Sequence, residues 1–146
     1  MEYKGEYTEE EELLQRARFN RKTNFYWFAM FQKMLDPGLK YEYLGEKEVE
    51  GQAYEVVNVS FSPADSTPTD IYQLFLNKET HLVDQFLFTV ADFGVMETPL
   101  LMRVEYEEVK GILIPSKRKY KRSSWDATVS DAPWVEVHWT DIRFNN

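Results

Sequence analysis

From residue 39 onward, apolar and polar positions alternate with a period of two, interrupted by clusters rich in Gly, Asn, Asp, Ser and Pro. That pattern predicts strands over 39–44, 53–61, 70–77, 82–90, 100–109, 112–122 and 134–144. Short links separate several of them: "GEKEVEG" (45–51), "NKETH" (77–81), and Lys110-Gly111, which reads as a tight hairpin turn. Longer connections fall at 62–69, 92–99 and 123–133. Consecutive strands with short links predict an antiparallel meander rather than βαβ units. Strand 70–77 sets Ile71 and Phe75 against Tyr72, Leu74 and Leu76, and strand 82–90 is likewise apolar on both sides. A sheet with one wet face would alternate more cleanly, so something must cover each face.

Upstream of residue 38 the pattern is helical. Thr8 and Glu11 have capping-box spacing, with Glu9 to Glu12 at the positive end of the helix dipole and Arg16, Arg18, Arg21 and Lys22 towards the other end. A second segment, "NFYWFAMFQKML" (24–35), is apolar nearly all round and stops at Asp36-Pro37-Gly38. The chain therefore reads as one α+β domain, 1–146, with N-terminal helices over 8–35 packed on an antiparallel sheet of about seven strands over 39–145.

Composition narrows the function classes. The net charge of −8 opposes nucleic acid as a partner, because phosphate binding needs a basic surface. Cysteine is absent, which excludes disulfides, thiolate metal sites and a cysteine nucleophile. Two histidines make no zinc pattern, and neither a phosphate loop nor a nucleophile elbow is present, so no metal, cofactor or catalytic set is expected. The N-terminus lacks the features of a signal peptide, and no segment approaches the length of a membrane span, so the chain as given reads as soluble. Aromatic residues reach 16%, enough either to fill a core or to line a ligand pocket.

Three stretches have the form of a known family: "LDPGLKYEYLGEKEVEGQAYEVVNVSF" (35–61), "DIYQLFLNKETHLVDQFLF" (70–88) and "VEYEEVKGILIPSKRKYKR" (104–122). Together they resemble the C-terminal portion of bacterial envelope proteins with the lipoprotein-carrier (LolA-like) fold, in particular a branch of unknown function. The resemblance implies a sheet curled into a half-barrel around helices, with an apolar cavity for an acyl chain, lipid or lipoprotein. It also implies a periplasmic or envelope location. It brings no catalytic residues.

Two sets of residues are candidates for binding. Trp27, Phe31, Phe86, Phe88, Met102, Tyr106 and Trp139 would line an apolar cavity, or simply form a core. Lys117, Arg118, Lys119, Lys121 and Arg122 are a basic run in an acidic chain. They would form either an anion-contacting rim or a solubilising strand end that resists edge pairing and faces Glu105, Glu107 and Glu108. His138 shares a strand face with Glu136 and has Asp141 close in sequence, either of which would orient a general base, but the spacing arises readily by chance and a structural histidine is the favoured reading. The leading functional expectation is a non-enzymatic carrier of an apolar ligand. The alternative is an interaction module, including a homodimer, that uses the open sheet face or edge.

Overall fold

The computed structural model describes residues 2–3, 6–7, 9–61 and 69–144. The chain divides into two compact units, residues 1–35 and 36–146.

The first unit holds a small antiparallel pair, β1 (Glu2–Tyr3) and β2 (Glu6–Tyr7), followed by one helix, α1 (Glu11–Lys33). The two helical segments of the sequence reading are a single continuous helix. Nothing between residues 19 and 24 breaks it, since that stretch holds neither Gly nor Pro. Thr23, the residue with most reason to compete for backbone bonds there, instead donates its hydroxyl to the Phe19 carbonyl at 2.8 Å. Glu11 and Glu12 in the first turn and Lys33 in the last complement the dipole. The capping-box residue Thr8 lies outside the described residues. Glu10 occupies the N-cap position without a side-chain capping bond.

The second unit is a seven-stranded antiparallel sheet in simple meander order: β3 (Leu39–Val49), β4 (Gln52–Phe61), β5 (Ile71–Asn77), β6 (Val83–Val90), β7 (Val95–Val109), β8 (Ile112–Arg122) and β9 (Val135–His138). The sheet is open: β3 and β9 are its edges and do not pair with one another. Bulges interrupt the ladders near Leu44, Leu76, Thr89 and Tyr106, and each adds local bend and twist.

Turn chemistry explains the boundaries. β3 runs five residues past its expected end because the true turn is Glu50-Gly51, not all of 45–51. Both turn residues there have positive φ, 51° and 83°, as do Lys110 and Gly111 at 51° and 80°. Paired positive φ values are those of the two-residue hairpin turn that matches strand twist. At 77–82, Asn77 Oδ1 accepts the Glu79 and Thr80 N–H groups, and Asn77 Nδ2 donates to Asp84 at 2.6 Å. β7 starts at Val95, earlier than predicted, because a 3-10 turn over Ala91–Phe93 and left-handed Gly94 complete the reversal. Asp70 accepts the Ala91 N–H at 2.7 Å, and burial raises its carboxyl above the usual range. β9 is shorter than expected: pairing ends at His138, and Asp141 has a φ of 56° that does not continue a strand.

The register aligns side chains in rows across the sheet. On one face, Tyr54, Val56, Phe75, Leu87 and Leu101 form a core with Ala127, while Val49, Val129 and Trp134 pack against it. This is the loop face, because the 123–134 connection lies over it. The opposite face carries the other half of each alternation.

Candidate functional site

The basic run divides by face. Lys117, Lys119 and Lys121 pair with Glu105, Arg103 and Leu101 and belong to the loop face, while Arg118, Tyr120 and Arg122 belong to the other. The simple alternation expected across 112–122 is interrupted between Ile114 and Lys117, where the pairing shifts register. β8 is not an edge, since β9 pairs with residues 117–120.

On the loop face, the lysines hold the overlying segment. Lys121 is 7% exposed, and its ammonium donates to the carbonyls of Ser130 and Ala132 at 2.5 and 3.0 Å. It also lies 4.4 Å from the centre of the Trp134 ring, with Lys119 at 5.2 Å and the Arg103 guanidinium at 5.4 Å. Three cations around one indole form a cation–π clamp. Ser123 Oγ donates to Thr128 O at 2.8 Å, and Gln73 Nε2 reaches Trp125 O at 3.3 Å. Asp126 accepts from the Ser124 hydroxyl and from both the hydroxyl and N–H of Thr128, which lowers its carboxyl to about 2. On the other face Arg118 is 6% exposed, with its guanidinium 4.3 Å from the Trp139 ring centre. Burial lowers it to about 10, so it stays charged at neutral pH.

Beside the clamp, a shallow groove of about 210 Å³ opens over β7, β8 and β9. Two cross-strand rows form it: Arg103–Lys119–Glu136 and Glu105–Lys117–His138. Lys117 pairs with Glu105 at 3.2 Å, as opposite charges facing each other on adjacent strands should. Arg103 bonds Glu50 at 2.7 Å and Gln85 at 3.2 Å. His138 Nε2 lies 3.8 Å from Glu136, a distance for a loose ion pair rather than a hydrogen bond. Among the described residues, no group of three His, Asp or Glu side chains could hold a metal ion.

Of the predicted apolar set, the sheet unit brings together Phe86, Phe88 and Met102. Phe86 and Met102 are register partners, and the rings of Phe86 and Phe88 lie 5.7 Å apart, all on the face opposite the loop. Tyr106 donates its hydroxyl to Val83 O at 2.8 Å, and burial drives its phenol far above the ordinary range. Trp139 donates its backbone N–H to Ser116 O, and its ring stacks with Arg118. Trp27 and Phe31 belong to α1 in the first unit.

The register also shows what sequence reading missed. Tyr43, Val57, Leu74, Phe86, Met102, Tyr120 and Val135 form one row across all seven strands. Beside it run Tyr41, Val59, Tyr72, Phe88 and Leu100. Tyr72 stacks on Phe88 at 6.5 Å and meets Phe61 edge-on at 6.2 Å. Phe86, Phe88 and Met102 are buried, whereas Tyr41 and Tyr43 at the β3 end are 54% and 59% exposed. Alternation put each residue on a face, but only the register joins them into rows.

No protein-family model, curated protein or solved structure matches the chain. No helix among the described residues is long and apolar enough to cross a membrane.

Proposed function

We propose that the protein is a non-catalytic binding module that takes an apolar chain along the two aromatic rows of its sheet. The ligand class is an acyl chain, carried by a free fatty acid, a lipid or a lipoprotein. This is the ligand that the resemblance to lipoprotein carriers implies, and with it go the half-barrel form and the envelope location. The observation that carries the reading is the continuity of the rows, from exposed Tyr41 and Tyr43 inward to Tyr72, Phe88, Phe86 and Met102. An extended apolar chain gains free energy in proportion to the area it buries. Tyr41 and Tyr43 offer that area directly, while Tyr72, Phe86, Phe88 and Met102 are buried in the free protein and take the chain only where it displaces what covers them. The loop face is already closed by its own segment, so it does not compete for the role.

The test is thermal denaturation of delipidated protein with and without palmitate. A ligand that binds only the native state should add about 2.7 kcal/mol at a hundredfold excess over Kd. The Tyr41→Ser/Tyr43→Ser double variant should fold normally and show a smaller shift. Absence of any shift in the wild-type protein would remove the reading.

One observation favours self-association as a second reading. Among the described residues β3 has no strand partner on its outer side, and Tyr41, Tyr43 and Leu44 on it are exposed. It requires a concentration-dependent dimer in sedimentation, weakened by the same double variant.

A further inference from the structure

We infer that the groove over β7–β9 is a second binding site, for a compact oxyanion bearing a carboxylate or phosphate, on the face opposite the apolar rows. In a chain of net charge −8, the groove is lined by four basic residues, Arg103, Lys117 and Lys119 from the loop face and Arg118, whose side chain belongs to the other face, against two carboxylates, Glu105 and Glu136. His138 lies at its rim, 3.8 Å from Glu136.

The cations are not equally committed. Lys117 is neutralised by Glu105 at 3.2 Å. Arg103 uses its Nε on Gln85 and one terminal nitrogen on Glu50, which fixes the guanidinium and leaves the other terminal nitrogen for a ligand. Lys119 is the centre of the site. It sits between Arg103 and Glu136 in register, yet its ammonium lies over Trp134 and, among the described residues, pairs with no carboxylate. A half-buried ammonium beside a held guanidinium is the arrangement that an oxyanion completes with charge-assisted hydrogen bonds. The volume, about 210 Å³, suits a small ion or short acid rather than a nucleotide or lipid. Glu136 opposes binding, because its carboxylate shares the groove and repels an incoming anion.

The experiment is an NMR titration of the whole chain with inorganic phosphate and, separately, with acetate, with sodium chloride at matched ionic strength as the reference. Saturable shifts should appear at Arg103, Lys119 and His138 with at least one of the two anions. The tighter of the two identifies the ligand as phosphoryl or carboxylate. Lys119→Gln should weaken binding by about tenfold or more, the loss expected for one charge-assisted bond. Glu136→Gln, at an exposed position, should tighten it. That gain of affinity separates a ligand site from a merely structural cluster. Linear shifts indistinguishable from those in chloride would overturn the inference, and so would a Glu136→Gln variant that binds no better than wild type. Neither result touches the palmitate measurement, which concerns the other face.

Discussion

Lys121 shows how much a single side chain in this sheet can hold. Its ammonium is nearly removed from water, yet it meets two carbonyls and an indole, so its desolvation is offset by directed bonds. Lys121→Met keeps the stem but strands the Ser130 and Ala132 carbonyls, and should cost about 2 kcal/mol in urea denaturation. Lys119→Gln removes one exposed-side cation–π contact and should cost no more than about 1 kcal/mol. The two lysines are indistinguishable in "KRKYKR", where both are charges on the same strand face. Both ammoniums lie against Trp134, and their difference comes from the Ser130 and Ala132 carbonyls, which accept from Lys121 and not from Lys119. The sequence left the run as either an anion-contacting rim or a solubilising strand end. The expected charge pairing exists at Lys117–Glu105, but Lys121 and Arg118 are interior cations seated on tryptophans.

Asp126 belongs to the same scale. Its carboxyl is held at about 2 by bonds from Ser124 and Thr128, below the ordinary 3.8. A depressed folded-state pKa means the charged form is the bonded one. Its contribution is complete above about 4 and is lost as pH falls towards about 2. Amide exchange of residues 124–130 should accelerate over that window before the sheet itself unfolds, while Asp126→Asn should flatten the dependence.

At the level of elements, the hairpins were the most legible part of the chain. Period-two alternation and the Lys110-Gly111 punctuation placed four of the seven strands to within one residue. Two misjudged boundaries have local causes. "GEKEVEG" looks like loop by composition, but its charges are the wet side chains of a paired strand that turns only at Glu50-Gly51. The split helix was expected from the change from polar to apolar composition, but composition changes which face is wet, not the backbone hydrogen bonding. The positive φ values at Gly51 and Gly111 make both turns sensitive to any side chain. Gly51→Ala and Gly111→Ala have open space for the methyl group, so their cost is conformational alone. Each should destabilise by about 1 kcal/mol in equilibrium denaturation, without changing the fold.

For the whole molecule, the sheet unit is defined by two unlike faces. One is closed by residues 123–134 over Phe75, Leu87 and Leu101, none of which reaches solvent. Phe75→Ala should cost about 3–5 kcal/mol, the range for deleting a fully buried ring. The other face is the one to which the proposed binding role is assigned, and here the sequence was least informative. It marked Phe86, Phe88 and Met102 as apolar, but a row across seven strands depends on six separate registers. Bulges near Leu44, Leu76, Thr89 and Tyr106 shift those registers, and nothing in composition announces them. The polar groove has the same origin, since Arg103, Lys119 and Glu136 are brought side by side only by two ladders.

The most direct test of the apolar-chain reading is a set of intermolecular nuclear Overhauser effects between ¹³C-labelled palmitate and the rings of the delipidated protein. The account predicts contacts from the chain methylenes to Tyr41, Tyr43, Tyr72, Phe86 and Phe88, and none to Tyr54 or Phe75 beneath the 123–134 segment. Contacts confined to the loop face, or a chain that makes none at all, would contradict it.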